Sequence, residues 1–71
     1  MSDKERVLQH LKEYRTITPM DAIQLYGCLR LSARIWELKH EGHDITTEIV
    51  YDKDRFGEPC HYARYSYHGK S

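Results

Sequence analysis

The chain has 71 residues, of which 31% are charged and 39% apolar, and its formal charge is zero with the histidines neutral. That length supports one domain with one small core, and it leaves little room for a buried catalytic pocket. No apolar run approaches the ~18 to 20 residues of a membrane span, and zero net charge argues against nucleic-acid binding by bulk electrostatics alone.

Met-Ser-Asp-Lys-Glu-Arg opens the chain. It lacks the apolar h-region of a signal peptide, so a cytoplasmic protein is expected. A first helix is predicted over about residues 3–14, with Ser2 or Asp3 as its cap and Glu5 in its first turn. Val7, Leu8, Leu11 and Tyr14 recur at helical spacing and form its expected buried stripe. His10 is placed with the charged residues on the solvated side.

Thr16 and Ile17 form a β-branched link, and Ile17 is able to pair with a later strand. Thr18-Pro19-Met20-Asp21 is a helix start: Thr18 as N-cap, Pro19 at the first helical position, Asp21 completing a capping box. The second helix is predicted over about residues 19–26, with Ala22, Ile23 and Tyr26 inward, helped by Met20 or Leu25. Gly27 ends it, and Gly27-Cys28-Leu29 is the turn into a third helix over about residues 30–41. Leu31, Ile35 and Leu38 share the inner face of that helix. Arg30, Ala33, Trp36, Glu37 and His40 point away, and Gly42 is the expected stop.

Two strands are predicted, at about residues 45–51 and 60–67, joined by a polar loop with Asp, Lys, Gly and Pro. Ile45, Thr47, Ile49 and Tyr51 lie on one face of the first strand. Ala63, Tyr65 and Tyr67 share one face of the second, with Tyr65 and Tyr67 packing the sheet onto the helices. Residues from His68 onward are expected to fray.

The order helix, short extended link, helix, turn, helix, hairpin predicts an α+β fold: a winged helix-turn-helix with three helices and a C-terminal β-hairpin wing. Tyr26-Gly27-Cys28-Leu29-Arg30-Leu31-Ser32-Ala33-Arg34-Ile35, with Ile17-Thr18 and Ala22 before it and Gly42 after it, carries a narrower likeness. The chain resembles the small winged helix-turn-helix domains of bacteriophage and prophage genomes, over about residues 7–67. The resemblance implies DNA binding in phage regulation, in the cytoplasm of a bacterial host.

The expected DNA-contacting residues are Arg30, Ser32, Ala33, Arg34 and Lys39 on the third helix, with Lys53 and Arg55 at the wing tip and Arg64 nearby. A recognition helix reads base edges with a few side chains of its N-terminal half. Arginine suits guanine or phosphate, Ser32 donates a hydrogen bond, and Ala33 permits close approach. Asp52, Asp54 and Glu58 dilute the wing cations. Trp36 has two readings: an interface anchor, or a core-edge residue packed on the wing or first helix. Tyr62 and Phe56 are expected to be exposed, as protein contacts or stacking platforms.

Cys28, His40, His43, Cys60 and His61 lack the paired short spacing of a zinc site, so surface histidines, two free thiols and no metal or cofactor are expected. Ser32 and Cys28 lie in no nucleophile elbow, and no P-loop is present, so no catalytic residue is assigned and an enzyme is not expected. The predicted partner is double-stranded DNA, with a regulatory, excision or architectural role. The alternative is a protein-interaction module of the same fold. With no spare helix for a dimer interface, a monomer, a weak or DNA-assisted homodimer, or a dimer through the first helix is expected.

Overall fold

The computed structural model describes residues 2–70. The elements run α1 (Asp3–Tyr14), β1 (Thr16–Ile17), α2 (Pro19–Tyr26), α3 (Leu31–His40), β2 (His43–Lys53) and β3 (Pro59–Lys70). The three strands form one antiparallel sheet in the order β1-β3-β2. The two-residue β1 is the pairing anticipated at Ile17, which lies opposite Tyr65.

The starts of α1 and α2 follow from local chemistry. Ser2, not Asp3, caps α1: its hydroxyl accepts from the Glu5 N–H at 3.2 Å. At α2 the capping box is reciprocal. Thr18 Oγ1 accepts from the Asp21 N–H at 3.2 Å, and Asp21 Oδ2 accepts from the Thr18 N–H at 3.1 Å. α3 has no side-chain cap.

A left-handed residue ends each of the first two helices. Gly27 takes φ 64° after α2, where a Cβ is strained. Arg15 takes φ 71° after α1, at a cost of roughly 1 kcal/mol for a residue with a side chain. Its placement has a structural return. The Arg15 N–H closes α1 on the Leu11 carbonyl at 2.8 Å, and its own carbonyl accepts from the Tyr67 N–H at 2.7 Å.

The core is Val7, Leu11, Ile17, Ala22, Cys28, Leu31, Ile35, Leu38, Ile45 and Tyr67, with Leu8, Tyr26 and Tyr65 packed against it. Lys4 bonds Glu41 across the outside, tying the start of α1 to the end of α3. The ammonium holds the Glu41 carboxyl below its ordinary value, and Glu41 raises the lysine in return.

Several expectations are corrected. Tyr14 is 62% exposed, because α1 ends there and only the His10 ring is seen against its own. His10 is buried instead, since the Tyr26 hydroxyl, 2.8 Å from Nδ1, gives its ring a polar partner. His43 is also buried, with Nδ1 3.1 Å from the Tyr67 hydroxyl. In α2 only Ala22 is buried; Met20, Ile23 and Leu25 stay exposed, because this two-turn helix packs through one small residue.

The strands are longer than predicted. β3 continues through His68 to Lys70, which pairs with His43, so these residues are not frayed; Ser71 lies outside the described residues. Register puts Ile45, Thr47, Ile49 and Tyr51 opposite Tyr67, Tyr65, Ala63 and His61. Ile45 and Tyr67 reach the core, whereas Ile49 and Tyr51 are exposed, because the hairpin runs past the helices. The domain is accordingly elongated, 39 × 23 × 20 Å.

Candidate nucleic-acid interface

α3 buries Leu31, Ile35 and Leu38, one turn apart, and this fixes which side chains face outward. Ser32, Trp36, Lys39 and His40 are exposed, Ala33 and Arg34 are half-buried, and Arg30 is exposed just before the helix begins. Arg30 and Arg34 share a depression of about 310 Å³ with Asp3, Gly27, Cys28 and Leu29. Leu29 is 80% exposed at its rim, an apolar side chain on the turn that sequence reasoning passed over.

Arg34 is already engaged. Its Nη2 lies 3.0 Å from Glu37 Oε1, one turn along the same face. Its Nε is buried and has no hydrogen-bond partner among the described residues. Lys39 stands near the other end of α3, where a cation complements the helix dipole.

Trp36 is 60% exposed. Its ring lies on that of His40, centroids 3.8 Å apart, and His40 Nδ1 donates to the Trp36 carbonyl at 3.1 Å. The indole is thus largely exposed and stacked on the next turn of its own helix.

The wing cations form a separate group. Lys53 and Arg55 line a groove of about 680 Å³ with Pro19, Met20, Ile23 and Tyr62, between the hairpin and the start of α2. Asp21, Asp52 and Asp54 line it too, so its charge is mixed. The tip is ordered by one carboxylate. Asp54 Oδ1 accepts from the Phe56 N–H at 2.8 Å and the Glu58 N–H at 3.0 Å. Gly57 turns the chain with φ 80°, and its N–H reaches the Asp54 carbonyl at 3.0 Å. Phe56 stands out from this tip, 81% exposed. Arg64 is not free: it bonds Glu48, its neighbour across β2 and β3.

The other polar candidates lie apart. Cys28 is buried and Cys60 half-buried, both as free thiols. His61 rests its ring against Tyr51. Among the described residues no three His, Cys, Asp or Glu side chains are grouped to hold a metal ion. Among the described residues no helix is long and apolar enough to cross a membrane.

The helix-turn-helix, its projecting hairpin and the residues between them agree with a family model described as "Winged helix-turn-helix domain", which matches residues 2–68. The chain belongs to that family. No curated protein and no solved structure gives a significant match. Membership suggests DNA binding, and domains of this kind are typically non-enzymatic modules. The α+β architecture of three helices and a hairpin follows the sequence expectation, with β1 as a third strand.

Proposed function

We propose that this winged helix domain binds double-stranded DNA, with α3 in the major groove and the wing along the backbone. Its role is that of a phage- or prophage-type regulator or excision accessory factor, working in the cytoplasm of a bacterial cell. The observation that carries this reading is the make-up of the α3 N-terminal half. Arg30 and Ser32 are exposed, Ala33 adds little bulk, and Arg34 sits one turn from Arg30. Such a surface allows close approach to base edges while two guanidinium groups reach bases or phosphates. Zero net charge makes affinity depend on where these few cations lie, within a Debye length of ~8 to 10 Å. A monomer, or a homodimer formed weakly or on DNA, fits a chain whose three helices all contribute to one core.

Selection from random duplexes, followed by salt titration of the selected site, tests this. The native chain should show a steep loss of affinity with salt, and Arg30→Ala/Arg34→Ala should bind markedly more weakly. Unchanged binding by the folded double variant refutes the assignment of α3.

A second reading, a protein-interaction module, is favoured by Trp36, a large exposed aromatic beside the exposed ring of His40. Aromatic residues are enriched at protein interfaces. It predicts no duplex affinity at ~150 mM salt and a partner that no longer binds after Trp36→Ala.

A further inference from the structure

Away from α3 and the hairpin, α1, β1 and α2 enclose an open cavity of about 510 Å³. Tyr14 and Tyr26, the last residues of α1 and α2, both line it. His10 joins the two tyrosines: its ring lies 4.7 Å from that of Tyr14 and 5.7 Å from that of Tyr26, the latter edge to face.

Glu13 and Asp21 add two carboxylates to the lining. Glu13 has no ion pair among the described residues. Asp21 uses Oδ2 in the α2 cap, which leaves Oδ1 outside that bond. Burial pushes the Tyr26 hydroxyl up, and Tyr14, Glu13 and Asp21 push it further, as expected where negative groups converge. No Lys or Arg among the described residues lines the cavity, although Asp21 also borders the wing groove that holds Lys53 and Arg55.

We propose that this cavity is a docking site for an arginine side chain from a basic segment of a partner protein. A guanidinium lies flat on aromatic faces and presents donors to carboxylates at the same time, a combination an ammonium satisfies less well. Tyr14 supplies an open ring face, Tyr26 and His10 supply the walls, and Glu13 and Asp21 supply the acceptors. Phosphate is repelled by the same carboxylates, so the site does not serve DNA. The domain thus has two surfaces: α3 and the wing on one hand, and an arginine-accepting cavity between α1 and α2 on the other.

The test is a nuclear magnetic resonance titration of the whole chain with Ac-Gly-Arg-Gly amide. Parallel titrations use the lysine and the citrulline tripeptides, the latter a neutral isostere of arginine. Arginine should give saturable shifts at the amides of residues 10–16 and 21–26, lysine weaker ones, and citrulline none. Glu13→Gln and Tyr14→Ala should each weaken arginine binding by at least about threefold. Tyr14 is largely exposed, so its removal leaves the core intact. The proposal is overturned by equal binding of citrulline, or by Glu13→Gln binding like the native chain. It is also overturned by shifts as large at the acidic wing tip, Asp52 to Glu58, as at the cavity.

Discussion

Arg34 and Glu37 form an ion pair along one turn of α3, with Nη2 3.0 Å from Oε1. Both side chains are partly exposed, and such an i,i+3 pair contributes about 0.3 to 0.5 kcal/mol. A phosphate or base edge therefore competes for the arginine on favourable terms. Glu37 also places a negative charge on the surface proposed to meet DNA. Glu37→Gln should release Arg34, remove that repulsion and tighten duplex binding by about threefold or more at low salt. Fluorescence anisotropy at ~50 and ~200 mM salt measures it. An affinity equal to the native chain's at both concentrations means that Arg34 does not meet the duplex.

α2 depends on its cap more than a longer helix does. It has eight residues, one of them buried, and it starts on the reciprocal bonds between Thr18 and Asp21. Packing and capping are thus its two supports. Thr18→Ala removes the hydroxyl acceptor and should cost about 1 kcal/mol. For a domain of this size that lowers Tm by about 4 to 8 °C. Thr18→Ser, which keeps the acceptor, should lose much less. Melting curves followed by circular dichroism compare the three proteins, and equal Tm values would show that the box contributes nothing.

Local signals made most of the fold legible in advance. The capping box, Gly27 and the β-branched runs each act within a few residues, so helix starts, the turn and the hairpin follow from them. What escaped depends on distant partners. His10 and His43 are buried because Tyr26 and Tyr67 offer them hydroxyl groups, across 16 and 24 residues of sequence. Periodicity says which residues share a face but not whether anything covers it. Ile23, Ile49 and Tyr51 stay exposed for that reason. At the candidate interface, the outward set on α3 could be read from the inward one. The separation of Lys53 and Arg55 beside α2, and the pairing of Arg64 with Glu48, depend on hairpin length and register. The cavity at the ends of α1 and α2 depends on His10 being buried and Tyr14 exposed, the reverse of what the helical spacing suggested.

His43 couples the hairpin base to pH. Burial lowers its tendency to hold a proton, and Lys70, Lys12 and Lys4 reinforce that, with Glu41 alone opposing. The folded state thus favours the neutral ring, which the Tyr67 hydroxyl meets at 3.1 Å. A histidine depressed on folding contributes stability that is full above its unfolded value, about 6.5, and falls as pH drops below it. Stability measured by urea unfolding should therefore decline from pH 7 to pH 5, and more steeply than in His43→Gln. Parallel pH profiles for the two proteins would remove His43 as the cause.

The wing tip should act as a rigid carrier of charge. Asp54 ties two backbone N–H groups across the turn that bears Arg55, and Lys53 immediately precedes it. Asp54→Ala frees both, so amide exchange at residues 55–58 should quicken while the helices keep their protection. The cations themselves are tested by Lys53→Ala/Arg55→Ala. Every phosphate that a removed cation had neutralised reduces the slope of log K against log salt by about 0.9, so the double variant should flatten it by about 1 to 2. Its selected sequence should not change, since groups that touch only the DNA backbone position a protein without reading bases. A slope equal to that of the native domain would mean that the tip meets no phosphate. Asp54→Ala then separates two ways the tip can work. If the tip engages as a preformed turn, loosening it weakens binding through ordering entropy while the slope stays the same. If the tip adapts on meeting DNA, Asp54→Ala removes a nearby negative charge and binding tightens instead.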